Sequence, residues 1–201
     1  MGLVVTNLEK DILSAFQSMN DGSNKVFSEK ISAAVKKFAE SGDVVTVDKG
    51  TVSAGVYAGA GTGGIKVDES VCEKIIFAAC GNMDKLKAGH NTYLATEMAD
   101  GIHAMILDGD IETDVKGMVT PPSSSPVTLN GKAKGKLTGV SVPMQAAFVN
   151  TVNSMDGMTT GNDEYMAKQC SIAVNAYLIA AIASTNGNVP LVGSTGTGKM
   201  T

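Results

Sequence analysis

The chain has 201 residues, of which 43% are hydrophobic and only 4% aromatic, and its formal net charge is -4. This length suffices for one domain with a sizeable core or for a small repeat array. The acidic balance and the lack of arginine argue against nucleic acid as a partner, because phosphate binding needs clustered basic side chains.

The first predicted elements are two helices. Apolar residues recur at helical spacing over residues 8–19 and again over residues 28–39. Residues 44–56 are rich in Val and Thr, which is typical of an extended segment. A glycine cluster at 59–64 follows. These elements define a first unit, which we place at residues 1–67.

A second unit, residues 68–140, shows the same order of elements. Its predicted parts are a helix at 68–81, a loop at 82–91, a helix at 92–107, an extended segment at 110–119, a Pro- and Ser-rich insertion at 121–126 and a glycine-spaced run at 131–139. The insertion has no counterpart in the first unit and is expected to be a surface loop.

The two units match in register. Twelve residues beginning at Ser41 and twelve beginning at Asp108 share a Gly, an Asp, a Thr, a Lys, a second Gly and a Val, which is 6 of 12 positions. Unrelated sequences would share roughly one. The apolar faces of the preceding helices also correspond at this offset, with Val35 matching Ile102. The sequence therefore predicts an internal repeat.

A third and more degenerate unit is placed at residues 141–201. Its predicted parts are a helix that begins at Pro143, a long apolar helix at 163–184, a short extended segment at 189–192 and a glycine-rich tail at 193–199. The sequence thus predicts a helix-dominated α+β fold. It would contain three degenerate repeats, each a helical hairpin with a short extended segment and a glycine-rich tail, in one compact domain.

The tail at residues 193–199 matches the GxxxxGK pattern of a phosphate loop. Such a loop works at the start of a helix and places a Ser or Thr next to the lysine. Here Met200 follows Lys199, and no helix is expected after it. The first two units also end on glycine runs, so the repeat already explains the pattern. We predict no nucleotide cofactor.

Charged residues alternate along two stretches. Asp108, Asp110, Glu112 and Asp114 would place four carboxylates on one face of a strand. A calcium loop would have Gly where Thr113 stands and Glu where Val119 stands, so a solvated acidic face is the preferred interpretation. The lysines of the second stretch could contact an acidic partner: Lys132, Lys134 and Lys136.

No catalytic or metal-binding constellation is predicted. His90 and His103 are the only histidines, their separation fits no zinc pattern, and no nucleophile motif accompanies them. Cys72 and Cys80 lie eight residues apart on a predicted helix, roughly 12 Å along its axis, which is too far for a disulfide. We therefore expect no enzyme and no catalytic, cofactor-binding or metal-binding residues.

The second unit resembles a module of phage virion proteins. The helix at 98–107, the extended residues 111–113 and the GxxxG spacing of the 131–139 run are together similar to modules in structural proteins of tailed phages with contractile tails. The similarity extends over most of the chain. It implies a component of the head, neck, tail or baseplate, made in the host cytoplasm and incorporated into the virion, with no catalytic residues.

These observations predict a structural subunit of a large assembly. Its extended glycine-rich segments would dock onto other copies of itself and onto neighbouring structural proteins. No membrane partner is expected, because the most apolar stretch, residues 172–183, is shorter than the roughly 20 residues of a membrane span. The alternative is a small cytosolic binding or enzyme subunit with a pocket formed by the loops at 82–91 and 156–163.

Overall fold

Six helices and six strands are present among the residues that the structure describes, and the order helix–helix–strand–strand occurs three times. The structure is a computed structural model that describes residues 2–19, 23–52, 55–83, 85–120, 125–156, 158–189 and 192–201. In chain order the elements are α1 Val5–Met19, α2 Asn24–Ser41, β1 Val44–Val52, β2 Gly55–Lys66, α3 Glu69–Met83, α4 His90–Asp108, β3 Asp110–Thr120, β4 Val127–Thr138, α5 Val142–Ser154, α6 Asn162–Ala180, β5 Ile182–Val189 and β6 Val192–Met200. The predicted unit boundaries, after residues 67 and 140, lie between β2 and α3 and between β4 and α5. Most of the insertion predicted at 121–126 lies outside the described residues.

Local signals fix where the second helix of each unit begins. Ser23 is the N-cap of α2, and its hydroxyl accepts a hydrogen bond from the backbone N–H of Val26 at 3.2 Å. Gly89 and Gly161 precede α4 and α6, each with a φ of 76°. Glycine adopts this left-handed conformation without steric cost. Each unit thus starts its second helix at a residue suited to a helix N-terminus.

The six strands form one closed antiparallel barrel, in which each strand pairs with the next and β6 pairs with β1. Along each strand, buried and exposed residues alternate, as expected when one face of the sheet lines the barrel interior. The predicted helix-dominated fold of three hairpins with short extended segments is therefore wrong. The extended residues belong to long strands, and the barrel closes across all three units.

Glycines permit close approach where neighbouring units meet in the barrel. Each unit contributes one such glycine opposite a threonine of the next: Gly63 opposite Thr113, Gly135 opposite Thr185, and Gly198 opposite Thr46. A Cβ on any of the three would collide with a backbone carbonyl of the facing strand, so only glycine fits. The glycine-rich runs predicted as tails at 59–64, 131–139 and 193–199 are thus parts of barrel strands β2, β4 and β6. Each of these three strands is paired on both edges within the chain, so none offers a free edge to which a neighbouring strand could be added.

The helices form a ring in which each helix contacts the next and α6 contacts α1. More side chains are buried on α2, α4 and α6 than on α1, α3 and α5. One buried residue of each strand joins this helical core: Val44, Ile65, Ile111, Leu137, Ala183 and Met200. Burying an aliphatic side chain contributes about 1.5–3 kcal/mol, so the shared core holds the ring against one end of the barrel. None of the helices described is both long enough and apolar enough to cross a membrane.

The third unit changes from helix to strand earlier than predicted. The helix expected at 163–184 ends at Ala180, and β5 begins at Ile182. Ala181 has φ -65° and ψ 143°, close to the -63° and 144° of Gly109 at the same place in the second unit. This backbone conformation does not require glycine. The sequence of the third unit therefore lacks the Gly-Asp signal that marks the boundary in the first two.

Candidate functional site

The alternating acidic residues of β3 (the acidic stripe) face the alternating lysines of β4 (the basic stripe). Their side chains form three exposed ion pairs: Asp110 with Lys136 at 3.0 Å, Glu112 with Lys134 at 2.9 Å, and Asp114 with Lys132 at 4.0 Å. Asp108 ends α4, and its carbonyl oxygen accepts a hydrogen bond from Lys136 Nζ at 2.6 Å. The stripes neutralise each other, so they form neither a calcium loop nor a free basic surface. In antiparallel strands one residue number rises as that of its partner falls, so the two numbers of every pair have the same sum. The three ion pairs follow this rule.

In the middle ion pair, Glu112 with Lys134, each side chain shifts the pKa of the other. The hydrogen bond from Lys134 lowers the pKa of Glu112, and the same bond raises the pKa of Lys134. Both side chains are exposed, and exposed ion pairs contribute little to stability because water and salt screen them. The pairs therefore help to align β3 with β4 rather than to form a site.

Residues 193–199 lie on β6 rather than in a loop at the start of a helix. Lys199 pairs with Val45 on one side and with Ile182 on the other, and its side chain is exposed. A phosphate loop instead presents several free backbone amides to one anion. The GxxxxGK pattern therefore has none of the geometry of a nucleotide site.

The two histidines lie at different places in the helix ring. His90 Nε2 lies 2.9 Å from the carbonyl oxygen of Leu86 at the exposed start of α4. His103 Nδ1 lies 2.8 Å from the hydroxyl of Tyr177 on α6. Burial raises the pKa of Tyr177 to about 12, so this hydroxyl stays protonated at neutral pH. Neither histidine is placed beside a nucleophile among the described contacts.

The cysteines are buried free thiols: Cys72, Cys80 and Cys170. Burial raises the pKa of Cys72 to about 12, which keeps the thiol protonated and unreactive. Within the described part of the chain, no group of three or more His, Cys, Asp or Glu residues is arranged to hold a metal ion.

A small cavity lies near the loops on which the alternative function depends. The alternative function predicts a ligand pocket between the loops at 82–91 and 156–163. The structure has a cavity of about 200 Å³ lined by Asn91, Asn162 and Asp163 together with apolar side chains of the helices. Ligand pockets typically measure roughly 300–1,000 Å³. The cavity described there is smaller than this range.

A larger groove, the α5–α6 groove, lies between α5 and α6 and has a volume of about 810 Å³. Its walls are mainly apolar and include Val140, Pro143, Ala147, Ile172, Ala176 and Ile182. None of the described residues that line it carries a charge. Val140 is 67% exposed and Ile172 is 47% exposed. The groove is an apolar surface that remains open to solvent in the isolated chain.

A second feature, the barrel cluster, consists of five buried polar residues inside the barrel: Thr46, Asp48, Thr113, Thr185 and Ser194. Thr46 Oγ1 donates a hydrogen bond to Asp48 Oδ2 at 2.9 Å. Among the described residues, four oxygens of the cluster lack a hydrogen-bond partner: Asp48 Oδ1, Thr113 Oγ1, Thr185 Oγ1 and Ser194 Oγ. Buried polar groups are nearly always hydrogen-bonded, so this concentration of unpartnered oxygens marks a candidate binding site.

The three threonines of the cluster occupy equivalent positions in the three units, each opposite the glycine of the preceding unit. The sequence repeat already matched Thr46 with Thr113, but no site was predicted from it. Thr185 was missed because β5 was not predicted: the sequence placed a helix at 163–184 and an extended segment only at 189–192. Asp48 breaks the symmetry, since Val115 and Gly187 stand at the corresponding places.

Comparison with known proteins returned no match: no protein-family model, no curated protein and no solved structure matches this chain.

Proposed function

We propose that the protein is a structural subunit of a large assembly, in which copies of the chain contact one another at the α5–α6 groove. The observation that carries this proposal is that the groove is open, apolar and uncharged. Contiguous exposed apolar surface of this kind marks interaction sites. Covering it stabilises a contact by about 25 cal/mol for each Å² of apolar surface removed from water.

Comparison of the second helices of the three units supports this proposal. Four of the α6 positions that line the groove are Gln169, Ile172, Ala176 and Ala180. The same positions are Glu97, Asp100, Ala104 and Asp108 in α4, and Lys30, Ala33, Lys37 and Ser41 in α2. The charged side chains of α2 have local partners: Lys37 pairs with Asp11 at 2.7 Å, and Lys30 Nζ donates a hydrogen bond to the carbonyl oxygen of Ser14 at 3.3 Å. Only α6 is uncharged at all four positions. This composition suits a surface that is covered by a partner rather than by water.

The occupant that we propose for the groove is a second copy of this chain. Phe77 on α3 is 50% exposed and stands beside the small residues Ala78 and Gly81. Aromatic side chains that enter an apolar pocket supply much of the binding energy of interfaces. Phe77 lies on α3, away from α5 and α6, and we propose that the Phe77 surface of one copy enters the groove of the next in a head-to-tail contact. Repeated head-to-tail contacts build rings or helical filaments.

This assembly would belong to the virion of a tailed phage, where the role of the subunit is architectural rather than catalytic. The resemblance of the sequence modules to virion structural proteins supports this placement. Mass spectrometry of purified phage particles tests it directly. Peptides of this chain should be present in the particles, and their absence from intact particles would contradict the placement.

Sedimentation velocity over a concentration series tests the proposed contact. The unmodified protein should associate as its concentration rises. Ile172→Glu should raise the dissociation constant at least tenfold, equivalent to about 1.4 kcal/mol, because the contact would bury an unpaired carboxylate. Phe77→Ala should weaken association in the same way, since it removes the aromatic anchor.

A matched control is Met118→Glu on the outer face of β3, where the methionine is 52% exposed. This change adds the same charge at a similarly exposed apolar residue away from the groove, so association should be unchanged. A protein that stays monomeric at every concentration would contradict the proposal. So would an Ile172→Glu variant that associates as strongly as the unmodified chain.

A further inference from the structure

The carboxylate of Asp48 lies inside the barrel and is 0% exposed. It is the only charged residue among the buried residues described. Burying an ionised carboxylate is costly unless a positive charge and hydrogen bonds compensate it. One oxygen accepts the hydrogen bond from Thr46, and the other has no partner among the described residues. The structure therefore contains a buried carboxyl group with an oxygen that no described residue satisfies.

Among the residues that the structure describes, no lysine of the barrel strands reaches this carboxyl group. All the described lysines of the six strands are exposed on the outer face: Lys49, Lys66, Lys116, Lys132, Lys134, Lys136 and Lys199. The groups that face the carboxylate are instead neutral hydroxyls, those of Thr46 and Thr185 among them. The hydroxyl of Tyr57 also lacks a described partner. Burial raises the pKa of Tyr57, and the negative charge of Asp48 adds to that effect, so the tyrosine remains neutral.

Glycines keep space open beside this carboxylate. A Cβ on Gly61 would lie 3.0 Å from both Asp48 Oδ2 and Thr113 Oγ1. A Cβ on Gly196 would collide with both Asp48 Oδ1 and Thr185 Oγ1. Threonine hydroxyls of two other units therefore lie near the carboxylate, around positions where the barrel wall carries no side chain.

We propose that the barrel interior binds a dehydrated monovalent cation, such as Na⁺, between the carboxylate of Asp48 and the hydroxyls of Thr113 and Thr185. Hard cations prefer oxygen ligands, and the hydroxyl lone pairs that lack partners here become ligands. Calcium sites usually combine several carboxylates with carbonyl oxygens, whereas this cluster has a single negative charge. A monovalent cation balances that charge and joins the three units at the centre of the barrel.

Thermal unfolding in different chloride salts at constant ionic strength tests the proposal, which is independent of the proposed assembly. A cation that binds only the folded state raises the midpoint progressively with its concentration. NaCl or KCl should therefore raise the Tm relative to choline chloride, whose cation is too large for the site. Asp48→Asn should abolish the difference between the salts, and Thr185→Val should reduce it.

Asp114→Asn is the matched control, because it removes a carboxylate from the exposed outer face of β3 and should leave the response to Na⁺ intact. Equal Tm values for the unmodified protein in all three salts would overturn the proposal, as would a response retained by Asp48→Asn. Should Asp48→Asn fail to fold, a high-resolution crystal structure of the unmodified protein in NaCl decides. A cation would show oxygen contacts shorter than the roughly 2.7–2.8 Å of a water hydrogen bond, whereas water alone in the cluster would refute it.

Discussion

Single glycines determine how closely neighbouring units approach in the barrel. A Cβ on Gly135 would collide with the carbonyl oxygen of Ser184, and Gly63 and Gly198 stand in the same relation to the next strand. Hydrogen bonds hold paired strands about 4.7–4.9 Å apart, so the facing backbone cannot move aside without losing pairs. These glycines are thus required by space rather than by an unusual φ.

The first prediction concerns two glycine substitutions. Gly135→Ala should destabilise the protein by about 1–3 kcal/mol, because the added methyl group overpacks the barrel wall. Gly81→Ala is the matched control, since nothing lies within 4 Å of a Cβ at that exposed helical position. It should stabilise the protein by about 0.5–1 kcal/mol through improved helix propensity. Urea unfolding measures both, and similar effects of the two changes would contradict the close packing.

The elements that could be predicted from the sequence are those in which apolar and polar side chains alternate with the period of the element. The helices found at Asn24–Ser41 and His90–Asp108 were visible because apolar residues recur on one face. Strands β2, β4 and β6 were misassigned, because glycine has no side chain and hides the alternation typical of strands. β5 was misplaced because Ala181 replaces the glycine that ends the preceding helix in the other units.

The barrel cluster illustrates the limit of reasoning from local patterns. The repeat matched Thr46 with Thr113, yet nothing in either segment shows that the two hydroxyls face the same interior. Both lie near Gly61 of β2, because β2 pairs with β1 on one side and with β3 on the other, and these pairings join residues far apart in the sequence. Strand register across units depends on such tertiary pairing, which short-range periodicity does not encode.

A second prediction concerns the pairing of β3 with β4. Glu112→Lys and Lys134→Glu should each lower the Tm, because each places like charges opposite one another, and the double swap should restore most of the loss. The folded-state pKa of Glu112 is lowered. The contribution of the Glu112 carboxylate to the free energy of unfolding is therefore present above the pKa of the unfolded state. It is lost as the pH falls through the pKa of the folded state. Glu112→Gln should make the Tm depend less on pH in that acidic range. A double swap no more stable than the single variants would show that the ion pair does not act across the strands.

At the scale of the whole molecule, the barrel makes the three units depend on one another. Every unit contributes two strands to the barrel, and the first strand is paired with the last. The helix ring rests on side chains of all six strands, including Met200 at the end of β6. Loss of one strand would thus disturb both the barrel and the helical core.

The last prediction follows from this dependence. Deletion of residues 192–201 should strongly destabilise the chain, because it exposes the paired edges of β1 and β5 and removes Met200, which is buried in the helical core. Truncating a buried methionine to alanine alone typically costs about 2–5 kcal/mol, and open strand edges promote aggregation. Circular dichroism and urea unfolding should show lower helical content and a lower midpoint. Lys199→Ala, which changes an exposed side chain of the same strand, should leave both unchanged. If the truncated chain remained a folded monomer with an unaltered unfolding midpoint, β6 would be a dispensable tail, and closure of the barrel would not be what holds the three units together.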